Sequence, residues 1–217
     1  MKNISLPEIN HFLAALTVIV CFLPFSIIWR RRLFFFKPYL LVSIFWAING
    51  IVYFPEIFNW GWYAKTSEYI TYGYNLLETC QIILIFYFIF QKIIFKYLIF
   101  LFVLFEVIII IYTQGYREST DNIIIGTGSF ISLILNIGAI IQYILKFEPS
   151  NSEHALTFLY VGFIFYFMQF MIIFEYNYLQ KSNSALPYLN TINYLSICIA
   201  ISIISFGMIK FPVSHGK

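Results

Sequence analysis

Seven long apolar stretches constrain the fold of this chain more than any other feature. They occupy residues of about 12–29, 38–56, 69–90, 97–114, 123–145, 155–175 and 190–209. A helix of about 20 residues crosses the roughly 30 Å hydrocarbon core of a bilayer, and each stretch has about that length. Because backbone amides in lipid must be hydrogen-bonded within the protein, each stretch is expected to be helical. The sequence therefore predicts an all-α membrane protein, a bundle of seven transmembrane helices in a single domain over residues 1–217.

The low charge content excludes a soluble domain. Only 11% of the residues are charged and 61% are hydrophobic, whereas soluble domains keep about 25% of their residues charged. The predicted partner of the surface is therefore the lipid bilayer. Basic residues are not interleaved with aromatic ones in any soluble stretch, so we expect no nucleic-acid partner.

The placement of lysine and arginine predicts the orientation of the bundle. Cytoplasmic loops are enriched in these residues, and one side of the seven-span arrangement holds nine of the thirteen, against four on the other. This predicts that the N-terminus lies outside and the C-terminus lies in the cytoplasm. The predicted inner residues are Arg30, Arg31, Arg32, Lys37, Lys92, Lys96, Lys146, Lys210 and Lys217, and the outer ones are Lys2, Lys65, Arg117 and Lys181.

Signatures of intramembrane enzymes are absent from the sequence. The chain contains no HExxH motif, and no histidine at membrane depth could activate Ser129 in the "GTGSF" stretch. Asp121 is the only aspartate, and the three cysteines form no CxxC pair. We therefore predict no enzymatic activity, no metal site and no cofactor.

Two acidic residues, Glu78 and Glu106, fall near the centres of the third and fourth stretches. A charged side chain at the centre of a bilayer costs at least about 2.5–3.5 kcal/mol on insertion scales. Both side chains must therefore face protein or water, or be protonated. Glu106 has few polar neighbours on its own stretch, so pairing with the third span and simple protonation both remain open for it.

Polar residues in several spans can meet around Glu78. Thr71, Asn75 and Gln81 follow helical spacing with Glu78, and Tyr74 lies at the edge of that face. Other spans offer further polar side chains, Tyr166 of the sixth among them. Polar residues between membrane helices also serve as ordinary packing contacts, which is the alternative explanation for these stripes. The candidate ligand- or ion-binding residues are Glu78, Asn75, Gln81, Tyr74, Glu106, Asn49, Asn136 and Gln169.

The third stretch contains "YNLLE", a Thr/Asn-rich outer loop precedes the fifth, the sixth is rich in aromatic residues and the seventh contains "NTINYLSICIAI". In these features the chain resembles small seven-span inner-membrane proteins of Bacteroidetes-type bacteria. The resemblance implies a multi-pass fold in the bacterial inner membrane. In that family Tyr74, Asn75 and Glu78 would be the recurring polar element.

Three functional hypotheses follow from these patterns. The first is a sensor or receptor-type signalling protein that binds a small ligand or ion in its polar interior and acts on a cytoplasmic or membrane signalling partner. The second is a transporter or channel for a proton, a cation or a small solute, in which Glu78 and Glu106 bind the transported species. The third is a structural membrane subunit in which both glutamates only pair helices.

Overall fold

The computed structural model describes the backbone of residues 6–57, 63–179 and 186–212. Within those ranges the side chains of 55–57, 63–65, 67–68, 173–179 and 186–187 are not described. The predicted outer residues Lys2, Lys65 and Lys181 and the predicted inner residue Lys217 therefore lie outside the described side chains.

The described chain is helical and contains seven segments long and apolar enough to cross a membrane, which confirms the predicted seven spans. The direction in which they cross stays a prediction. The α-helices are α1 (Leu6–Cys21), α2 (Leu23–Arg31), α3 (Lys37–Ile57), α4 (Tyr63–Phe90), α5 (Ile94–Tyr112), α6 (Glu118–Ile144), α7 (Asn151–Leu179) and α8 (Leu186–Lys210).

The first span is broken into α1 and α2, where the sequence pattern predicts one helix. Pro24 has no N–H and cannot donate a hydrogen bond to the preceding turn. The backbone turns at Phe22, whose N–H bonds to the carbonyl of Ile19 at 3.2 Å. A new helix then begins, with Pro24 in its first turn. Together α1 and α2 form a 26-residue apolar segment that is long enough to cross the bilayer.

Helix α6 begins five residues before the predicted start of its span, at Glu118 instead of 123. A span that starts at about 123 leaves Asp121 in the polar connection before it, and this predicted placement is wrong. A short hydrogen-bonded cluster fixes the earlier start: Thr120 Oγ1 accepts from the backbone N–H of Arg117 at 3.2 Å and lies 2.7 Å from Thr113 Oγ1. Asp121 consequently lies in the first turn of α6.

Six of the seven spans form a closed ring. Around it, α1/α2 packs on α3, α3 on α4, α4 on α6, α6 on α7, α7 on α8, and α8 again on α1. Aromatic side chains fill the centre: the ring of Phe45 lies 5.6 Å from that of Phe163, and Trp46 lies 5.0 Å from Tyr166. The centre is therefore closely packed by aromatic side chains.

Helix α5 lies outside this ring, against α4 and α6. Only 11% of its span is buried, against 33–50% in the other six. Its fully buried residues are Phe102 and Glu106, one turn apart on the face toward the ring. The remaining sides of α5 present apolar side chains to lipid.

Helices α7 and α8 approach each other closely at two glycines. A Cβ atom at Gly162 would come within 2.8 Å of the carbonyl oxygen of Ala200, and one at Gly207 within 2.7 Å of that of Ala155. Small residues allow helix backbones to approach in membranes. The two helices therefore pack as one unit.

One end of the bundle, which we call the basic end, comprises residues 30–37, 90–96, 144–153 and 208–212. It holds the described basic residues of the predicted inner side. Arg31 donates from its guanidinium to the carbonyls of Met208 and Phe211, at 3.3 and 3.2 Å. These bonds hold the end of α8 against α2. We call the end at residues 112–120 the opposite end.

Candidate functional site

Glu78 lies inside the ring, at the point where α4 faces α7. Its side chain is 5% exposed. The hydroxyl of Tyr166 on α7 donates to Glu78 Oε1 at 2.7 Å, and the hydroxyl of Tyr74, one turn earlier on α4, donates to the same oxygen at 3.3 Å. The predicted inward position of Glu78 is confirmed. Its role as a ligand-binding residue stays a prediction.

A third helix joins this cluster through Asn49 of α3. The Asn49 side-chain amide donates to the hydroxyl of Tyr74 and, at 3.2 Å, to the backbone carbonyl of Phe45. The cluster Asn49–Tyr74–Glu78–Tyr166, which we call the central cluster, therefore connects α3, α4 and α7. All four side chains are buried. Hydrogen bonds are electrostatically stronger in such a dry interior than in water.

Aromatic rings exclude water from the central cluster. The ring of Phe45 lies 5.8 Å from that of Tyr166 and 6.4 Å from that of Tyr74. The Trp46 ring also packs against Tyr166. Both tyrosine hydroxyls are consequently committed to the bonds described above, because no bulk solvent competes for them.

A second buried cluster lies one helical turn toward the opposite end. The Asn75 amide on α4 donates to both carboxylate oxygens of Asp121 on α6, at 2.9 and 3.0 Å. The hydroxyl of Tyr116 donates to Asp121 Oδ1 at 2.7 Å. Asp121 is 9% exposed and Asn75 is 7% exposed. This cluster brings a second carboxyl group close to Glu78 along α4.

Asn75 and Glu78 form hydrogen bonds with different helices. The spacing pattern placed Thr71, Asn75, Glu78 and Gln81 on one face of α4, whereas the structure directs Asn75 to α6 and Glu78 to α7. The buried Oε1 of Gln81 has no hydrogen-bond partner among the described residues. The four residues therefore do not form one shared site.

Glu106 is buried, with 5% exposure, but it lies on the peripheral helix α5. In the part of the chain that the structure describes, Glu106 Oε1 has no hydrogen-bond partner. No hydrogen bond between described residues joins it to Glu78, so the structure does not bring the two predicted acidic residues into one site. Glu106 lies on the face of α5 that packs on α4 and α6.

Substitution of Glu106 by glutamine is expected to leave the free energy of unfolding in detergent nearly unchanged. The amide keeps the shape of the acid, and the described surroundings of the carboxyl hold no cation that requires its charge. Unfolding in mixed dodecylmaltoside and SDS micelles measures the effect. Phe102→Ala, one turn away on the same face, is the control and should lose about 3 kcal/mol. A comparable loss in Glu106→Gln would show that the charge of Glu106 is needed.

The remaining predicted site residues bond elsewhere. Gln169 Nε2 donates to Asn193 Oδ1 on α8 at 2.8 Å. Asn136 Nδ2 donates to the carbonyl of Ser132 within its own helix at 2.7 Å. Both contacts are of the ordinary packing kind between or within membrane helices.

The list of candidate binding residues left out two residues of the site. The sequence named Tyr166 among the polar side chains that other spans offer to Glu78, but it did not include Tyr166 among the candidate binding residues. Asp121 was placed in a loop, although its uniqueness as the only aspartate was a usable signal. Among the described residues, no group of three His, Cys, Asp or Glu side chains is arranged to hold a metal ion.

Comparison with models of protein families, with curated proteins and with solved structures found no match to this chain.

Proposed function

We propose that this protein is a receptor-type sensor of the bacterial inner membrane, in which Glu78 binds a small cationic ligand. The observation that supports the proposal most is the pair of tyrosine hydroxyls, one on α4 and one on α7, that share Glu78 Oε1. A carboxylate, hydroxyls and an amide are the oxygen-rich groups that bind alkali ions or protonated amines. Among the described residues, the hydrogen-bond partners of Glu78 are neutral hydroxyls, which leaves its charge available to a cation.

Ligand binding would act by changing the partner of Glu78. A cation at Oε1 competes with the Tyr166 hydroxyl and weakens the bond that holds α7 against α4. Because Gly162 and Gly207 keep α7 packed on α8, both helices would shift together. Helix shifts in such transitions are about 1–2 Å. A ligand produces this shift only to the extent that it prefers one arrangement over the other.

The shift of α7 and α8 would be passed to another protein at the basic end. The connections there are short, over residues 32–36, 91–93 and 145–150, so a signalling partner is needed to relay the shift of α7 and α8. We propose that this end is cytoplasmic, because it holds most of the basic residues.

The experiment measures the distance between the basic ends of α5 and α7. Spin labels are placed at Ile94 and Asn151 in a cysteine-free variant reconstituted in nanodiscs, and lithium, sodium, potassium and methylammonium chlorides are the probes. We expect at least one probe to shift the distance, Tyr166→Phe to show the shift without any probe, and Glu78→Gln to abolish the response. Glu106→Gln is the matched control and should respond like the unmodified protein. The proposal would be contradicted if the distance between the two labels is the same in all four proteins and does not change when any of the probes is added.

Transport of a cation is the second candidate, and one observation favours it. Asp121 lies between the opposite end and Glu78, bonded to Asn75 only one turn away on α4, so a cation could pass two carboxyl groups in succession. Proteoliposomes loaded with a pH-sensitive dye and tested for radiolabelled sodium uptake distinguish the two functions. Flux that is lost in Glu78→Gln would support transport, whereas a distance change without flux supports sensing. If neither occurs, a structural role of the glutamates is left.

A further inference from the structure

A groove between α5 and α6 opens at the basic end. Its cavity volume is about 250 Å³. Its apolar lining comes from three helices: Phe86 and Phe90 of α4, Phe95 of α5, and Ile134, Leu135, Gly138 and Ala139 of α6. A Cβ atom at Gly138 would find no atom within 4 Å. The missing side chain therefore leaves open space on the lipid-facing surface, and the lining is apolar along most of its length.

Polar groups lie where this groove reaches the basic end. Lys92, in the connection between α4 and α5, and Gln142 of α6 complete the lining. The lining contains no acidic residue, so the ammonium group of Lys92 has no counter-charge within the groove. An apolar channel that ends in a cation and an amide matches the shape of a phospholipid, with an acyl chain in the channel and a phosphate at its end.

The neighbouring cavity differs in charge. It has a volume of about 260 Å³ and lies between α4, α6 and α7. It shares Phe90, Ala139 and Gln142 with the groove. Its lysine, Lys146, bonds to Glu153 at 2.5 Å. The positive charge there is already paired, so the two cavities differ in their attraction for an anion.

We propose that the groove between α5 and α6 binds one anionic phospholipid, with its phosphate at Lys92 and Gln142 and an acyl chain along Phe95, Ile134 and Gly138. The basic end would face the leaflet that is rich in anionic lipid. The site is independent of Glu78 and of the proposed sensing function.

The test compares lipid binding by native mass spectrometry of the purified protein. The probes are phosphatidylglycerol and phosphatidylcholine with identical acyl chains. We expect phosphatidylglycerol to bind more tightly. Lys92→Gln should weaken its binding about fivefold, as expected for one basic contact at the membrane surface, and should leave phosphatidylcholine binding unchanged. Gly138→Leu should weaken binding of both lipids, because the added side chain occupies the channel and its first carbon meets no atom within 4 Å.

Two controls keep the interpretation specific. Lys96 lies one turn further along α5, with its ammonium group over the ring of Tyr87 and not in the groove, so Lys96→Gln should bind like the unmodified protein. Gly73→Leu adds the same side chain on α4 where no atom lies within 4 Å and should also have no effect. Equal binding of the two lipids, or equal effects of Lys92→Gln and Lys96→Gln, would overturn the proposal. Melting temperatures of all variants show whether any loss reflects unfolding.

Discussion

Replacement of Gly207 by leucine is expected to destabilise the bundle by about 3 kcal/mol or more. The first added carbon would lie 2.7 Å from the carbonyl oxygen of Ala155 and 2.7 Å from Cβ of Phe158. A backbone carbonyl in a helix cannot turn away, so α7 and α8 must separate and lose contact along their length. Unfolding in mixed dodecylmaltoside and SDS micelles measures the loss.

Gly73→Leu is the matched control for this prediction. Gly73 also lies within a helix, but nothing occupies the space beside it, and leucine favours a helix over glycine by about 0.8 kcal/mol. We therefore expect unchanged or slightly greater stability. If Gly207→Leu and Gly73→Leu unfold at the same denaturant fraction, the close approach of α7 and α8 is wrong.

Replacement of Asn75 by leucine is expected to cost about 1.5–3 kcal/mol, the usual contribution of a hydrogen bond to a charged group. The substitution removes the donor to both oxygens of Asp121 and leaves the hydroxyl of Tyr116 as the described partner of a buried carboxyl group. The same unfolding assay measures the effect. Asn193→Leu removes the acceptor of a neutral amide pair with Gln169 and should cost less, about 0.6 kcal/mol.

A double substitution tests whether Asp121 is the reason for the loss. Asp121→Asn removes the carboxylate, so adding it to Asn75→Leu should recover part of the stability. A coupling free energy of about 1 kcal/mol between the two positions is expected for residues in direct contact. Strict additivity of the two substitutions would show that Asn75 and Asp121 do not interact.

The lengths and apolar character of the seven stretches determined the spans. Each stretch had to become a helix because lipid offers no hydrogen bonds to the backbone, so spacing and composition alone were sufficient. The inward position of Glu78 followed for the same kind of reason, since a carboxyl group pointing into lipid is too costly at mid-depth. These conclusions follow from the properties of the lipid bilayer and do not depend on how the helices pack.

The helix boundaries and the neighbours of each helix could be identified only from the tertiary structure. Asp121 lies in α6 because Thr120, Thr113 and the connection before the helix are hydrogen-bonded to one another. The periodicity of apolar residues gives no sign of these bonds. Helix α5 lies outside the ring, although its stretch is predicted to cross the membrane like the other six. Hydropathy reports which segments enter the bilayer but not which neighbours they meet there.

The composition of the central cluster was decided by helix placement. The sequence by itself identified Glu78, Tyr74 and Asn49 as polar groups at membrane depth, because polar residues are rare in such stretches. It named Tyr166 among several polar side chains without identifying it as the partner of Glu78. It also did not show that Asn75 bonds to α6 or that Glu106 lies on a peripheral helix. Those outcomes depend on the rotation of each helix against its neighbours, which is set by contacts such as those of Gly162 and Gly207 between residues far apart in the chain.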